Sequence, residues 1–194
     1  MVIISAMGAT SFIVFAMPKT VSAQTKHVIG GHLVGLASGA ILREIGTTNR
    51  TVLSDYFKHI SRNTGLIMKV HQSNFKMIGF VKRPSITELV KLGKKHKLCV
   101  VEDLGSGVLL RTEDFELAHE PTIFEALSAG ADLVCFSGDK LLGAPQAGII
   151  LGKKKYIDIL KKHPLHRALR LDKMFLAGLE KVLFRIFEVL GCEY

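Results

Sequence analysis

The stretch Phe136-Ser137-Gly138-Asp139-Lys140-Leu141-Leu142-Gly143-Ala144-Pro145-Gln146-Ala147-Gly148 sets one lysine between two apolar runs. Ala131 to Phe136 precedes it and Ile149-Ile150-Leu151 follows, and both read as strands. Desolvation at the end of a buried strand disfavours an ammonium group. The neutral amine that results is a nucleophile able to form a Schiff base with a carbonyl cofactor. Ser137 adds a small hydroxyl suited to an anion. The plain alternative is a solvated loop lysine beside a turn, and the pattern around Lys140 argues against it.

Two further apolar runs end in polar residues that complement such an amine. His71-Gln72-Ser73-Asn74 follows Gly65–Val70, and Asp103 with Leu104-Gly105-Ser106-Gly107 follows Leu98–Val101. In a parallel sheet these ends share one edge, where ligands bind. A single aspartate after a strand is as often a turn residue or a helix cap, so the joint placement carries the reading. If Lys140 holds pyridoxal phosphate, the ring nitrogen needs a buried carboxylate to keep its proton, and Asp103 is the candidate. The phenolic oxygen needs a donor, which the Asn74 amide supplies. The phosphate needs small donors, and Ser137 fits. His71 completes the cofactor-binding candidates at this edge.

Other chemistries compete for the same residues. Ser137-x-x-Lys140 matches the serine–lysine motif of penicillin-binding enzymes, but that motif opens a helix, and Gly138 and Gly143 make this an irregular loop. Gly105-Ser106-Gly107 resembles a phosphate cradle without the full fingerprint of one. Asp103, Asp139 and His71 can be imagined as metal ligands, but scattered trios of this kind are common by chance, and no metal is expected.

The elements that must position these groups alternate along the chain. Gly65–Val70 is a strand behind the turn Arg62-Asn63-Thr64. Ser85-Ile86-Thr87-Glu88 is a capping box opening a helix that ends in the basic Lys94-Lys95-His96-Lys97. Leu98–Val101 is a strand closed by Glu102-Asp103. A helix runs from Glu120-Pro121-Thr122 to Ala129-Gly130, strands follow at 133–136 and 147–151, and helices at 156–162 and 173–190. Alternating helices and almost uniformly apolar strands predict an α/β fold, a mostly parallel sheet with helices on both faces.

At 194 residues, 48% of them hydrophobic and 22% charged, the chain is an ordinary globular protein rather than a disordered one. Its net charge of +9 favours an anionic partner, with a solvated basic surface as the plain alternative. The excess is dense from Lys153 to Lys173. Cys99, Cys135 and Cys192 form neither a disulfide framework nor a zinc spacing, and a cytoplasmic location is expected. The apolar stretch 10–17 with Val21-Ser22-Ala23 mimics a secretory signal, yet no Lys or Arg precedes Lys19, and the stretch is too short to span a bilayer. No membrane association is expected.

Six segments together resemble bacterial selenocysteine synthase, the L-seryl-tRNA(Sec) selenium transferases. They are Leu42-Arg43-Glu44-Ile45-Gly46-Thr47-Thr48-Asn49-Arg50-Thr51, Lys69-Val70-His71-Gln72-Ser73-Asn74-Phe75, Val101 to Gly107, His119-Glu120-Pro121-Thr122, Ser137 to Gly143, and Leu165-His166-Arg167-Ala168-Leu169-Arg170-Leu171-Asp172-Lys173. The resemblance runs from about Ser38 to about Leu183. It implies the aspartate-aminotransferase fold type and a pyridoxal 5'-phosphate enzyme that converts seryl-tRNA(Sec) to selenocysteinyl-tRNA(Sec). The seryl hydroxyl is eliminated and selenium from selenophosphate is added. It further implies a homo-oligomer, with Lys140 carrying the cofactor and Asp103 pairing with the pyridine nitrogen.

Arg167 and Arg170 would hold the anionic selenium donor or the aminoacyl end, so the catalytic candidates are Lys140, Arg167 and Arg170. At i and i+3 the arginines are expected on one helical face, although spacing alone favours a solvated basic face. Residues 1–37 do not look like the family and form an atypical N-terminal segment. Residues 38–194 form a partial pyridoxal-phosphate-binding catalytic domain, and the chain reads as a fragment lacking the family's upstream and C-terminal domains. Gly143-Ala144-Pro145 departs from the more usual Gly-Gly-Pro. A related lyase acting on a small amino acid, and a non-catalytic RNA- or subunit-binding remnant, are the alternative functions.

Overall fold

A computed structural model describes residues 3–5, 27–29, 41–45, 49–71 and 78–191. The signal-like stretch, Thr47-Thr48, Asn74 and Cys192 lie outside these residues. Among the described residues seven strands form one sheet, ordered β1-β7-β6-β5-β4-β2-β3. The strands are β1 (Ile3–Ser5), β2 (His27–Ile29), β3 (Ile41–Arg43), β4 (Thr64–Val70), β5 (Cys99–Gly105), β6 (Leu133–Ser137) and β7 (Gly148–Gly152). From β6 across to β3 every neighbour is parallel, whereas β7 runs antiparallel to both β6 and β1. The mostly parallel α/β sheet expected from the sequence is present.

Alternation along each strand divides the core into two layers. Leu66 and Met68 of β4, Cys99 and Val101 of β5, and Leu133 and Cys135 of β6 pack against Ile157 and Leu160 of α4 (Lys154–Lys161). On the opposite face, Ile67 and Val100 meet Tyr56 of α1 (Leu53–His59) and Leu89, Val90 and Leu92 of α2 (Ile86–His96). Val134, Phe136 and Ile149 meet Ile123 and Ala126 of α3 (Ile123–Ser128) and Leu179 of α6 (Lys173–Val189). Strands covered on both sides have little use for polar residues, which is why they read as continuous apolar runs.

The helix starts follow their capping chemistry. Ser85 Oγ accepts from the Glu88 amide while the Glu88 carboxylate accepts from the Ser85 amide, the box read from the sequence. Thr122 and Glu125 form the same device at α3, so that helix begins just after Glu120-Pro121-Thr122. Asp132 closes the β5–β6 junction, its carboxylate accepting from the Val100 amide at 2.8 Å and from Lys153 Nζ at 2.6 Å.

Three expectations need correction. β5 does not stop at Glu102-Asp103. It runs to Gly105 with all seven residues buried, because Lys69 pairs with Glu102 and Asp103 is flanked by Val70 of β4 and Cys135 of β6. The 164–168 segment is a separate short helix, α5 (Pro164–Ala168), whose cap Leu169 leaves helical geometry at φ −103°, ψ 12°. Arg170 therefore lies beyond the helix end, and Arg167 and Arg170 do not share a helical face. Lys140 is exposed rather than buried at the end of its strand.

Candidate active site

The C-terminal ends of β4, β5 and β6 converge as the sequence implied. Val70 pairs with Asp103, Asp103 with Cys135, and the His71 amide donates to the Asp103 carbonyl at 2.7 Å. Ser137 is the last residue of β6, half-buried, and Lys140 follows in the loop to β7. That loop is fastened at several points. Gly138 N–H donates to the Ala147 carbonyl, Ala144 N–H to the Gly138 carbonyl and Gly143 N–H to the Lys140 carbonyl, at 2.8 to 2.9 Å. Leu141 N–H donates to the Ser106 carbonyl at 2.9 Å, which ties the lysine loop to the end of β5.

The approach of these two segments demands glycine at residue 107. Its φ is +73°, and an added Cβ would sit 2.5 Å from the Ser137 carbonyl oxygen. Ala144, which departs from Gly-Gly-Pro, has no positive φ; Gly143 beside it takes +70°, so the alanine methyl meets no backbone conflict.

Electrostatics single out Asp103. Burial pushes its carboxyl from the ordinary 3.8 up to about 6, opposed by the positive charge of Lys140 and by a hydrogen bond from the Gly105 amide. Its Oδ1 is shut off from solvent and has no hydrogen-bond partner, and the same holds for Ser106 Oγ in a residue only 2% exposed. A buried carboxylate oxygen without a donor is costly, and a protonated ring nitrogen is the kind of donor that would satisfy it. The residues present thus fit a pyridinium group beside Lys140.

His71 reaches this edge from β4, its Nε2 3.0 Å from Glu120 Oε1. Glu120 and Ser106 were not singled out as site residues from sequence: Glu120 stood only as part of a helix start, and Ser106 only within a weak glycine pattern. Arg167 is exposed on α5 and Arg170 is exposed past its end. Among the described residues no cluster of three or more His, Cys, Asp or Glu is placed to hold a metal ion.

Residues 33–189 match the family profile described as L-seryl-tRNA selenium transferase. The chain belongs to this family. Curated L-seryl-tRNA(Sec) selenium transferases are similar over about three quarters of the chain. That of Caldanaerobacter subterraneus subsp. tengcongensis is 56% identical over 150 residues, covering 77% of this chain and 32% of the relative. That of Maridesulfovibrio salexigens is 59% identical over 146 residues, covering 75% and 31%. The chain thus spans about a third of the length of the selenium transferases it matches. A second profile, described as "HPP, transmembrane region", matches residues 1–54. Among the described residues no helix is long and apolar enough to cross a membrane.

Solved structures carry the same fold at low sequence identity. D-glucosaminate-6-phosphate ammonia-lyase superposes with a TM-score of 0.64 at 20% identity, over 84% of this chain and 43% of that one. Aspartate aminotransferase of Thermotoga maritima superposes with a TM-score of 0.59 at 14% identity, over 81% and 44%. The aspartate-aminotransferase fold type implied by the selenium transferase resemblance is the fold observed.

Proposed function

We propose that this member of the selenium transferase family provides the cofactor-bearing part of an enzyme that converts seryl-tRNA(Sec) to selenocysteinyl-tRNA(Sec), with selenophosphate as the selenium donor. The observation that carries the reading is Asp103: a buried carboxylate with an unpartnered oxygen, within the field of a lysine on the neighbouring strand's loop. Identities of 56 to 59% to curated selenium transferases support this choice of substrate class.

Pyridoxal 5'-phosphate supplies an electron sink that allows a β-hydroxyl to leave and a nucleophile to add in its place. Lys140 Nζ is the amine that anchors it, and its exposure leaves the nitrogen accessible from the sheet edge. Asp103 keeps the ring-nitrogen proton in place. Ser137, at the end of β6, offers a hydroxyl to the phosphate, and Asn74 an amide to the phenolic oxygen. His71, which follows the last residue of β4, would be a further residue to hold the cofactor. Arg167 and Arg170 present two guanidinium groups for the anionic donor or the aminoacyl end, from a helix and from the segment after it rather than from one face. Two free, buried cysteines are compatible with a reducing, cytoplasmic setting.

The test is cofactor capture. The purified chain is mixed with pyridoxal phosphate, reduced with borohydride, and its peptides are mapped by mass spectrometry. A phosphopyridoxyl mass on the Lys140 peptide, absent in Lys140→Ala, is the expected result. Failure of the unmodified chain to take label would overturn the reading and favour an RNA- or subunit-binding remnant.

A further inference from the structure

Glu120 belongs to neither the lysine loop nor a strand end, yet it is built toward the site. Its backbone amide donates to Thr112 Oγ1 at 3.0 Å, and Thr112 Oγ1 donates to the Ala118 carbonyl at 2.8 Å. His119 beside it is clamped through Nδ1, 2.7 Å from Glu113 Oε1, with Glu125 Oε2 3.6 Å from Nε2. On the other side Thr122 caps α3, and the Ile123 amide donates to the Val108 carbonyl at 3.1 Å. A short segment pinned at both ends holds its middle carboxylate in one place.

That carboxylate meets His71. Oε1 of Glu120 and Nε2 of His71 are 3.0 Å apart, both closed to solvent, and their alignment falls short of a well-formed hydrogen bond. An ionised carboxylate only accepts, so the arrangement that satisfies both buried atoms puts a proton on Nε2. The Glu120 contact uses Nε2 and leaves Nδ1 as the ring's other nitrogen, and the His71 amide is already committed to the Asp103 carbonyl. We infer that Glu120 is a positioning residue for His71. It fixes the ring's orientation and its tautomer, proton on Nε2, so that His71 offers the cofactor edge an acceptor nitrogen on Nδ1. This is the orienting logic by which a carboxylate behind an imidazole decides what its other nitrogen can do.

Glu120's role toward the cofactor rests on the pyridoxal-phosphate reading of the site; its hold on His71 does not. The experiment therefore has two readouts on the full chain. Ring-nitrogen NMR of isotopically labelled histidine, with His71 assigned by the loss of its signals in His71→Asn, should show the proton on Nε2 in the unmodified protein. Glu120→Ala should give a mixture of tautomers, while Glu120→Gln, which keeps an acceptor oxygen of the same reach, should restore the Nε2 form. In the second readout, the affinity for pyridoxal phosphate, followed by the visible absorbance of the lysine-bound cofactor, should fall roughly tenfold in Glu120→Ala and recover in Glu120→Gln. A proton on Nδ1 in the unmodified chain overturns the inference, even if every variant misfolds. So do an unchanged tautomer and unchanged affinity in a folded Glu120→Ala. Absence of cofactor uptake by the unmodified chain sinks the functional reading instead and leaves the tautomer test standing.

Discussion

Replacing Asp103 by asparagine should make the protein more stable at neutral pH. The carboxyl is pushed up to about 6 from its ordinary 3.8, chiefly by burial. A carboxyl raised in the native state binds its proton more tightly folded than unfolded. Its stabilising contribution is complete below the unfolded value, is lost as pH rises through about 6, and leaves a constant penalty above that. At about 1.36 kcal/mol per tenfold change in acidity, that penalty is ~3 kcal/mol. Asparagine carries no charge to desolvate and keeps an oxygen for the Gly105 amide. Urea denaturation of the parent and of Asp103→Asn from about pH 4 to about pH 8 isolates the effect, because every other titrating group is common to both. The gain should approach ~3 kcal/mol at the upper end and shrink toward zero at the lower. A difference that does not vary with pH, or one that grows on acidification, would refute the assignment of Asp103 as a desolvated carboxylate.

Other perturbations follow from the same contacts. Lys140→Ala should move the Asp103 titration further upward, since the lysine charge holds it down, and carboxyl NMR shifts report the direction. Gly107→Ala should cost ~1–3 kcal/mol in thermal or urea unfolding, because φ is +73° and the methyl would meet the Ser137 carbonyl at 2.5 Å. Gly93→Ala should also destabilise, by ~1–3 kcal/mol, even though alanine is the better helix former, since its Cβ would lie 2.3 Å from Val100 Cγ2. Ser85→Ala removes the N-cap of α2 and should cost ~1 kcal/mol, most of it recovered by Ser85→Asp.

Much of the framework was legible because its signals are local. The Ser85–Glu88 box, the Thr122 helix start and the apolar runs of β4 and β6 each depend on residues a few positions apart. What escaped depends on distant partners. Glu102 and Asp103 looked like the end of a strand because two acids in a row rarely stay buried. Lys69, brought alongside by parallel pairing, offsets the Glu102 charge, and β4 and β6 pair with Asp103 from either side, so β5 continues. The direction of β7 leaves no mark on its composition, since apolar runs read alike either way. Arg167 and Arg170 keep helical spacing, but Leu169 turns the backbone between them. Glu120 owes its place to Thr112 and His71, which spacing does not reveal. The position of Lys140 was legible, but its exposure was not: glycine-rich turns give no hint of which side chains they lift into solvent.

The antiparallel β6–β7 pair bears on the order in which this protein assembles. Strands that run in opposite directions can be joined by a short return, so the lysine loop and both its supports are encoded within one stretch of chain. Asp103 arrives from β5, whose parallel pairing with β6 must close a long crossover through the 3₁₀ turn at Thr112–Phe115 and α3. Contacts of low sequence separation form fast and long-range parallel ones form slowly. The lysine loop's hairpin scaffold is thus ready ahead of the β5–β6 pairing that brings Asp103 beside it.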